Sequence, residues 1–417
     1  VGDVDAVLQL GAPATVASYL QRMGRSGRRG SPGYMVVLAG DREGFLRAVA
    51  LTELARRRWV EPVRLDDRDW AVYVHQILAL LLARRVLSPD EIYRALKGCS
   101  AFKGIRHAEF AQVVDQLVVS GHLERTGAER IGQSAARLRL GFATERDFGA
   151  RNFAALRSVF EGGVAQMTVY SNGQAVGTVD RGFAARLKAG REFTLAGQNW
   201  RPERIDWDSA RIDVAAGEAG GMPAWRGGLA TPMAGEVALE IRKILISSEY
   251  PSYLDAPEQA YLDELRAEAA DKGLEGGLVP IQGSATRGDG RSKRLTLWTL
   301  AGERINRAIG LLLEDLLDAE SHADWEDVRL VARAPGAKLD PAELSWHVEG
   351  LTTSGITPLT RRAALMRMPA SGGSRFLRLL PGELAAEARA AGWLDFAGLA
   401  AFLECHRLAP APSSVSK

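Results

Sequence analysis

The chain has 417 residues, 46% hydrophobic and 25% charged, the proportions of a globular protein of two to four domains rather than of a disordered one. With 53 basic against 51 acidic residues the net charge is +2, so no global field marks a polyanion-coating protein and any nucleic-acid contact must come from local patches. Two cysteines, Cys99 and Cys405, exclude a disulfide framework and a four-cysteine zinc site, and a reducing, cytoplasmic setting fits them best.

The chain starts without methionine or a signal peptide, at Val1, inside what reads as a strand, and further strands are expected before it. Residues 1–58 hold nine basic and five acidic residues, net +4, which leaves −2 for the rest. Ala6–Leu10 is a short apolar run bounded by Gly11 and Pro13, as in a buried parallel strand. Thr15 is a fair N-cap for a helix through Met23. After the Gly30–Gly33 turn, Tyr34–Ala39 reads as a second buried strand. Strand, helix, strand is one step of a parallel sheet, and one step is not a domain.

Residues 66–150 change character. Trp70–Leu87 is the most apolar stretch, but His75, Gln76, Arg84 and Arg85 interrupt it, which suits a core helix and not a membrane span. Ser88-Pro89-Asp90-Glu91 spells a capping box with Pro at the first helical position. A third helix over about 108–120 places Phe110, Val113, Val114, Leu117 and Val118 on one face, and Gly121 ends it. Two short strands follow, so three helices and a two-stranded wing describe a winged helix. Its twelve basic and eleven acidic residues weaken the case for an autonomous DNA reader.

From about 164 the pattern turns to β. Gln166–Tyr170 and Gln174–Val179 flank Ser171-Asn172-Gly173, a strong hairpin signal. With strands near 191–196, 200–206 and 210–214, this predicts a small twisted sheet or a partial barrel. Helices are expected near 234–247, 257–272, 301–318 and 379–391, and strands near 293–300 and 325–332. The segment 151–409 is taken as one β-rich α+β unit, and 410–417 as a disordered tail.

The decisive string is Gln21-Arg22-Met23-Gly24-Arg25-Ser26-Gly27-Arg28-Arg29, four arginines and two glycines in nine residues, at a helix end before a strand. Glycines let a backbone approach closely, and arginines direct charge at a polyphosphate. The spacing resembles the last conserved motif of superfamily 2 helicases, Q-x-x-G-R-x-G-R, in the second RecA-like domain. Val1–Gln9 looks like the stretch that follows the preceding helicase motif. Further on come Val176-Gly177-Thr178-Val179-Asp180, Gly197-Gln198-Asn199-Trp200-Arg201, Met222-Pro223-Ala224-Trp225-Arg226-Gly227 and Leu297–Gly302 with Arg304-Ile305-Asn306-Arg307. Their order resembles the large helicase-related (Lhr) family of ATP-dependent helicases. The resemblance implies an α/β and α+β multidomain fold: a partial RecA-like parallel sheet, a winged helix and a family-specific domain.

It further implies that Arg25 and Arg28 are arginine fingers that reach ATP from across a domain boundary. Gln21, Arg22, Gly24 and Gly27 would bind or couple to that ATP. ATP and Mg²⁺ would be held mainly by a first RecA-like domain, a partner outside this chain. A positioned arginine offsets charge on the γ-phosphoryl group and speeds transfer by roughly 10³–10⁵. DNA or an RNA:DNA hybrid would be the substrate, and the family implies 3′→5′ movement and bacterial DNA repair.

The sequence has no G-x-x-x-x-G-K-S/T phosphate loop; Gly283 to Gly288 is followed by Asp289 and Gly290. It has no Asp-Glu Mg²⁺ box either, so this chain alone is expected not to hydrolyse ATP. Six scattered histidines lack metal-ligand spacing, and no metal site is expected. Trp200, Trp207 and Trp225 with Arg201, Arg204 and Arg226 would suit unstacked bases, or the tryptophans fill a small core instead. Arg151 and Phe153 are a similar pair. Arg287, Arg291, Lys293, Arg294, Arg304 and Arg307 against Asp289 and Glu303 read as a phosphate track or as a solvated loop. A different class of protein, a non-enzymatic winged-helix DNA-binding or regulatory protein, remains the alternative.

Overall fold

In the computed structural model of the chain, the described residues are 4–27, 32–63, 66–126, 137–149, 166–180, 192–206, 210–217, 232–283, 293–334, 337–367 and 374–410, with Leu156 and Ala184. Thr15 starts the first helix as expected: its hydroxyl oxygen accepts the Ser18 amide at 3.0 Å. Strand β1 (Val7–Leu10), helix α1 (Val16–Met23) and strand β2 (Met35–Leu38) form the step, with Val7 opposite Met35 in a parallel pair. The expected burial of the strands does not hold on both faces. Met35 and Val37 pack toward the helices, but Leu8, Leu10 and Leu38 are 72%, 79% and 50% exposed because no layer of described residues covers that face. Helix α2 (Arg42–Arg56) follows, capped by Asp41, whose carboxylate accepts the Gly44 amide at 2.7 Å.

The winged helix comprises α3 (Trp70–Arg84), α4 (Pro89–Lys97), α5 (His107–Val119) and the antiparallel strands β3 (Leu123–Thr126) and β4 (Arg137–Leu140). The capping box closes: Ser88 Oγ accepts the Glu91 amide at 3.2 Å, and the Glu91 carboxylate accepts the Ser88 amide at 2.7 Å. Leu87 and Leu138 exchange backbone hydrogen bonds at 3.1 and 2.7 Å, which adds a third short strand. Helix α6 (Phe142–Phe148) completes the unit.

The hairpin of β5 (Gln166–Ser171) and β6 (Gln174–Asp180) turns on Asn172 and Gly173, at φ 49° and 78°, the left-handed pair that matches strand twist. With β7 (Phe193–Leu195), β8 (Gln198–Asp206) and β9 (Arg211–Ala216) it makes an open sheet in the order β6-β5-β9-β8-β7, so of sheet or barrel the sheet is formed. Met167, Val169, Phe193, Ile212 and Val214 fill its core. Trp200 joins them at 6% exposure, and its indole nitrogen donates to the Leu195 carbonyl at 3.0 Å.

Helices α7 (Gly235–Ile246) and α8 (Ala256–Asp271) lead to a second five-stranded sheet. Its strands are β10 (Leu278–Gly283), β11 (Arg294–Leu297), β12 (Ala319–Ala323), β13 (Val328–Ala332) and β14 (Arg407–Pro410), in the order β12-β13-β11-β10-β14. Only β10 and β14 pair in parallel. Helix α9 (Glu303–Leu316) packs on it, followed by α10 (Pro341–Ser354), α11 (Pro358–Met366), α12 (Gly382–Trp393) and α13 (Phe396–Cys405). Helices α10, α11 and α13 and strands β10, β12 and β14 are absent from the sequence expectation. Ala-Glu-Ser-His-Ala and Arg-Leu-Ala-Pro have little strand preference and become strands by pairing at the sheet edges. Pro410 still belongs to β14; the rest of the expected tail, 411–417, lies outside the described residues.

Distant segments share cores. Leu46, Val49 and Leu54 of α2 pack with Val237, Ile241, Leu262 and Leu265 of α7 and α8. Arg42 locks this contact by donating to both oxygens of Glu326, at 2.9 and 2.8 Å. The winged-helix core takes in Phe376, Leu377 and Leu384, and Phe148 stacks on Phe376 at 5.5 Å. Arg242 is 2% exposed without a carboxylate; it donates to the carbonyls of Glu275, Gly276 and Leu278, and burial pulls its pKa down to about 10.

At the seam, Arg68 donates to Glu109 at 3.0 Å and to Glu387 at 2.9 Å. Burial would raise the Glu109 carboxyl, but the Arg106 and Arg68 guanidinium groups and the Arg106 amide outweigh it and hold it at about 2. This carboxyl titrates lower folded than unfolded. Its stabilisation is therefore full above pH about 4.5 and is lost as pH falls toward 2. Melting curves across that window should show a steeper loss for the native chain than for Glu109→Gln; parallel losses would remove the assignment. Trp200→Ala should cost about 3–5 kcal/mol of folding free energy, read from denaturant unfolding, because it empties a core position.

Candidate functional site

The arginine string occupies the end of α1 and the turn beyond it. Gln21 and Arg22 lie exposed in the last helical turn, and Gly24 is the C-cap. A Cβ on Gly24 would sit 3.2 Å from the Leu20 carbonyl oxygen. Gly27 has φ +70°, and a Cβ there would lie 2.4 Å from the Gly33 amide nitrogen, so only glycine fits. Between them, Ser26 is 4% exposed. Its Oγ accepts the Tyr34 amide at 2.9 Å and stands 2.9 Å from the Met23 carbonyl and 3.0 Å from the Tyr34 carbonyl.

Ser26 thus ties the end of α1 to the approach of β2 and forms, with Gly24 and Gly27, a neck between them. In the motif it is one of three unspecified positions, and the sequence, Arg-Ser-Gly rather than a G-x-S-x-G elbow, argues only against a nucleophile there. The two side chains beside the neck differ. Arg22 turns back and donates to Gln9 Oε1 at 2.6 Å, whereas Arg25 is exposed and makes no ion pair among the described residues. Arg28 itself lies outside the described residues, as do Arg151, Phe153, Trp207, Trp225, Arg226, Arg287 and Arg291. No group of three or more His, Cys, Asp or Glu among the described residues is placed to hold a metal ion. No helix among them is long and apolar enough to cross a membrane.

The anticipated strand-contacting residues fall in different places. Trp200 is a correction: its ring is buried and its N–H satisfied, so no base can reach its faces. Arg201, next to it on β8, is exposed. Lys293 and Arg294 are exposed at the start of β11. Arg304 and Arg307 do not extend a track from them: Arg304 donates to the Leu394 carbonyl at 3.0 Å, and Arg307 pairs with Glu303 at 2.9 Å.

Accessible rings occur where the sequence reading did not look. Tyr170 lies outward on strand β5, and the Arg211 guanidinium sits over it, 4.0 Å from the ring centroid. Trp298 lies under the Lys272 ammonium at 3.8 Å, and Trp393, 45% exposed, under Arg307 at 4.7 Å. The alternation of Met167 and Val169 inward with Thr168 and Tyr170 outward was the available signal for the first. On the winged helix, Arg125 pairs with Asp115 at 2.6 Å and Arg139 with Glu124 at 2.6 Å, so the charge of these two wing arginines is met within the fold.

Residues 53–222 match the family model "Large helicase-related protein, winged helix domain", a range that takes in the winged helix and the whole β5–β9 sheet. The ATP-dependent helicase Lhr-Core of Methanocaldococcus jannaschii is 26% identical over 281 residues, 64% of this chain and 31% of that protein. The Lhr helicase/uracil glycosylase of Escherichia coli (strain K12) is 25% identical over 242 residues, 54% of this chain and 15% of that protein. Among solved structures, Mycobacterium smegmatis helicase Lhr bound to ssDNA and AMP-PNP superposes with a TM-score of 0.53 at 17% identity. That match covers 98% of this chain and 55% of the other, and it speaks to the fold. The chain spans about a third of the Lhr-Core relative and about half of the solved one. The chain is thus similar to large helicase-related (Lhr) proteins, and its residues 53–222 match the model of their winged-helix domain.

Proposed function

We propose that the chain is the C-terminal part of an ATP-dependent DNA or RNA:DNA helicase, supplying an arginine finger and strand-binding accessory domains. The observation that supports the reading is the glycine-and-serine neck, Gly24, Ser26 and Gly27, which holds the backbone of Arg25 at the end of a helix and before a parallel strand. A backbone fixed before substrate arrives limits where a guanidinium group can reach, and charge stabilisation in phosphoryl transfer depends on such placement. On this reading residues 1–58 are the end of a second RecA-like domain. The open face of β1 and β2, with Leu8, Leu10 and Leu38 uncovered, is where the rest of that domain would pack. Residues 66–150 are the winged helix, 151–409 the Lhr-specific domain and 410–417 a tail.

ATP and Mg²⁺ would be held mainly by a preceding RecA-like domain. This chain's part is positioning: Arg25 and Arg28 face the developing charge, and Gln21 relays the nucleotide state or orients water. Arg22 is held by Gln9 and serves to fix β1 against α1 near the nucleotide. A cytoplasmic setting and a role in DNA repair go with the reading. The alternative, a winged-helix protein that reads duplex DNA without catalysis, is opposed by the ion pairs that occupy Arg125 and Arg139.

In the longer protein that contains both halves, Arg28→Ala should cut ATP hydrolysis by roughly 10³ and leave nucleotide binding within several-fold. Gly27→Ala adds one methyl group against the Gly33 backbone and should lose turnover comparably, with the melting of the winged helix unchanged. Near-normal hydrolysis in Arg28→Ala would remove the finger assignment.

A further inference from the structure

The segment that enters the winged helix meets the α12–α13 turn, and between them lies a cavity of about 310 Å³. Arg68 and Trp70 form one wall; Arg304, Arg361 and Phe396 form the others. Its size is at the lower end of small-molecule sites, about 300–1,000 Å³, and suits a single ring system rather than a duplex. Its charge is balanced, since the guanidinium groups of Arg68, Arg304 and Arg361 face the carboxylates of Asp66, Glu387 and Asp395. A balanced cavity gives no preference to a phosphate.

Two further features narrow the ligand. The Arg361 guanidinium lies over the Phe396 ring at 5.3 Å, a flat cation-and-ring surface of the kind that stacks on planar heterocycles. Trp70 is 1% exposed, and its indole N–H has no acceptor among the described residues. A buried donor without a partner is costly, so an acceptor supplied from outside would be favoured there. A neutral planar ring that carries a carbonyl or ring-nitrogen acceptor satisfies size, charge, stacking and donor together.

Next to this cavity is a wider cleft of about 630 Å³ between α5 and α11–α12, and the two share Arg361 and Glu387. Its rim carries Arg106, whose side chain is 78% exposed, and Arg362; they pair with Glu109 and Glu383 respectively. We propose that the small cavity seats one unpaired base of a single strand, with the strand continuing along the wider cleft. This rests on the strand-binding part of the proposed function, and it adds a place for the grip that neither Trp200 nor the β5–β9 sheet supplies.

The test uses the full chain with a fluorescent dT12 strand and with the same strand carrying one 2-aminopurine. The expected result is that Phe396→Leu and Arg361→Ala each weaken dT12 binding five-fold or more, with melting temperatures near that of the native chain. The 2-aminopurine signal should be quenched on binding to the native chain and unquenched with Phe396→Leu. Trp70→Phe keeps an aromatic side chain, removes the N–H and trims the buried ring; with its melting temperature checked against the native chain, it should weaken binding by a smaller factor. If the native chain binds dT12 and both variants match it within two-fold, the seat is overturned and the strand-binding reading survives. If the native chain binds no dT12, both fall. Saturation by free thymidine without strand binding would make the cavity a nucleoside site and overturn the strand assignment.

Discussion

The guanidinium group of Arg68 is the tie on which the arrangement of the winged helix depends. It stands in the segment between the front of the chain and α3, and all three of its nitrogens have acceptors, from Glu387, Glu109 and the Gly104 carbonyl. A shielded ion pair contributes little net stability unless every donor is matched, because desolvation cancels most of the attraction. Here the match is complete, so the network specifies one arrangement: α5 and α12 are held at a fixed spacing.

The chain is joined across long sequence separations by the same means. Helix α2 shares its core with α7 and α8, more than 180 residues later, and Arg42 with Glu326 seals the edge of that contact. Residues 376–385 complete the core of the winged helix. The front step, the winged helix and the C-terminal α+β unit are therefore bonded through shared apolar cores. The β5–β9 sheet differs, because its buried residues pack among themselves. A movement imposed on α1 and α2 would pass directly to α7 and α8 by packing, whereas among the described residues the small sheet has no core in common with either.

Local chemistry made much of this legible in the sequence. The Thr15 and Ser88 caps, the Asn172-Gly173 turn and the period of α5 are short-range signals, and each specified its element. What failed were properties that depend on distant neighbours. Strands β12 and β14 exist through partners, not propensity. Burial of β1 and β2 was inferred from apolar runs, but burial needs a covering layer, which composition does not report. Trp200 was ambiguous for the same reason, since a tryptophan beside an arginine reads alike at a surface or above a core. In the arginine string, Gly24 and Gly27 announced themselves by type. Ser26, the residue that closes the neck, was silent because its role lies in the Tyr34 amide eight positions on.

Charge placement limits how a strand can be gripped. Arg125, Arg139, Arg211, Arg329 and Arg333 each already have a carboxylate in the fold. A phosphate contact at any of them replaces one anion with another. It releases little condensed counterion charge in net terms, so the usual electrostatic source of affinity is muted. Stacking has no such cost, because a ring face under a guanidinium or ammonium group can exchange that cation for a base. Tyr170, Trp298, Trp393 and Phe396 are all rings of this kind. Arg25 follows the opposite pattern, exposed and without an ion pair among the described residues, beside a neck that holds its backbone. A bare guanidinium is most useful where negative charge grows during a reaction and water is excluded. Among the described residues Arg25 therefore differs from Arg125, Arg139, Arg211, Arg329 and Arg333, whose charge a carboxylate of the fold already meets.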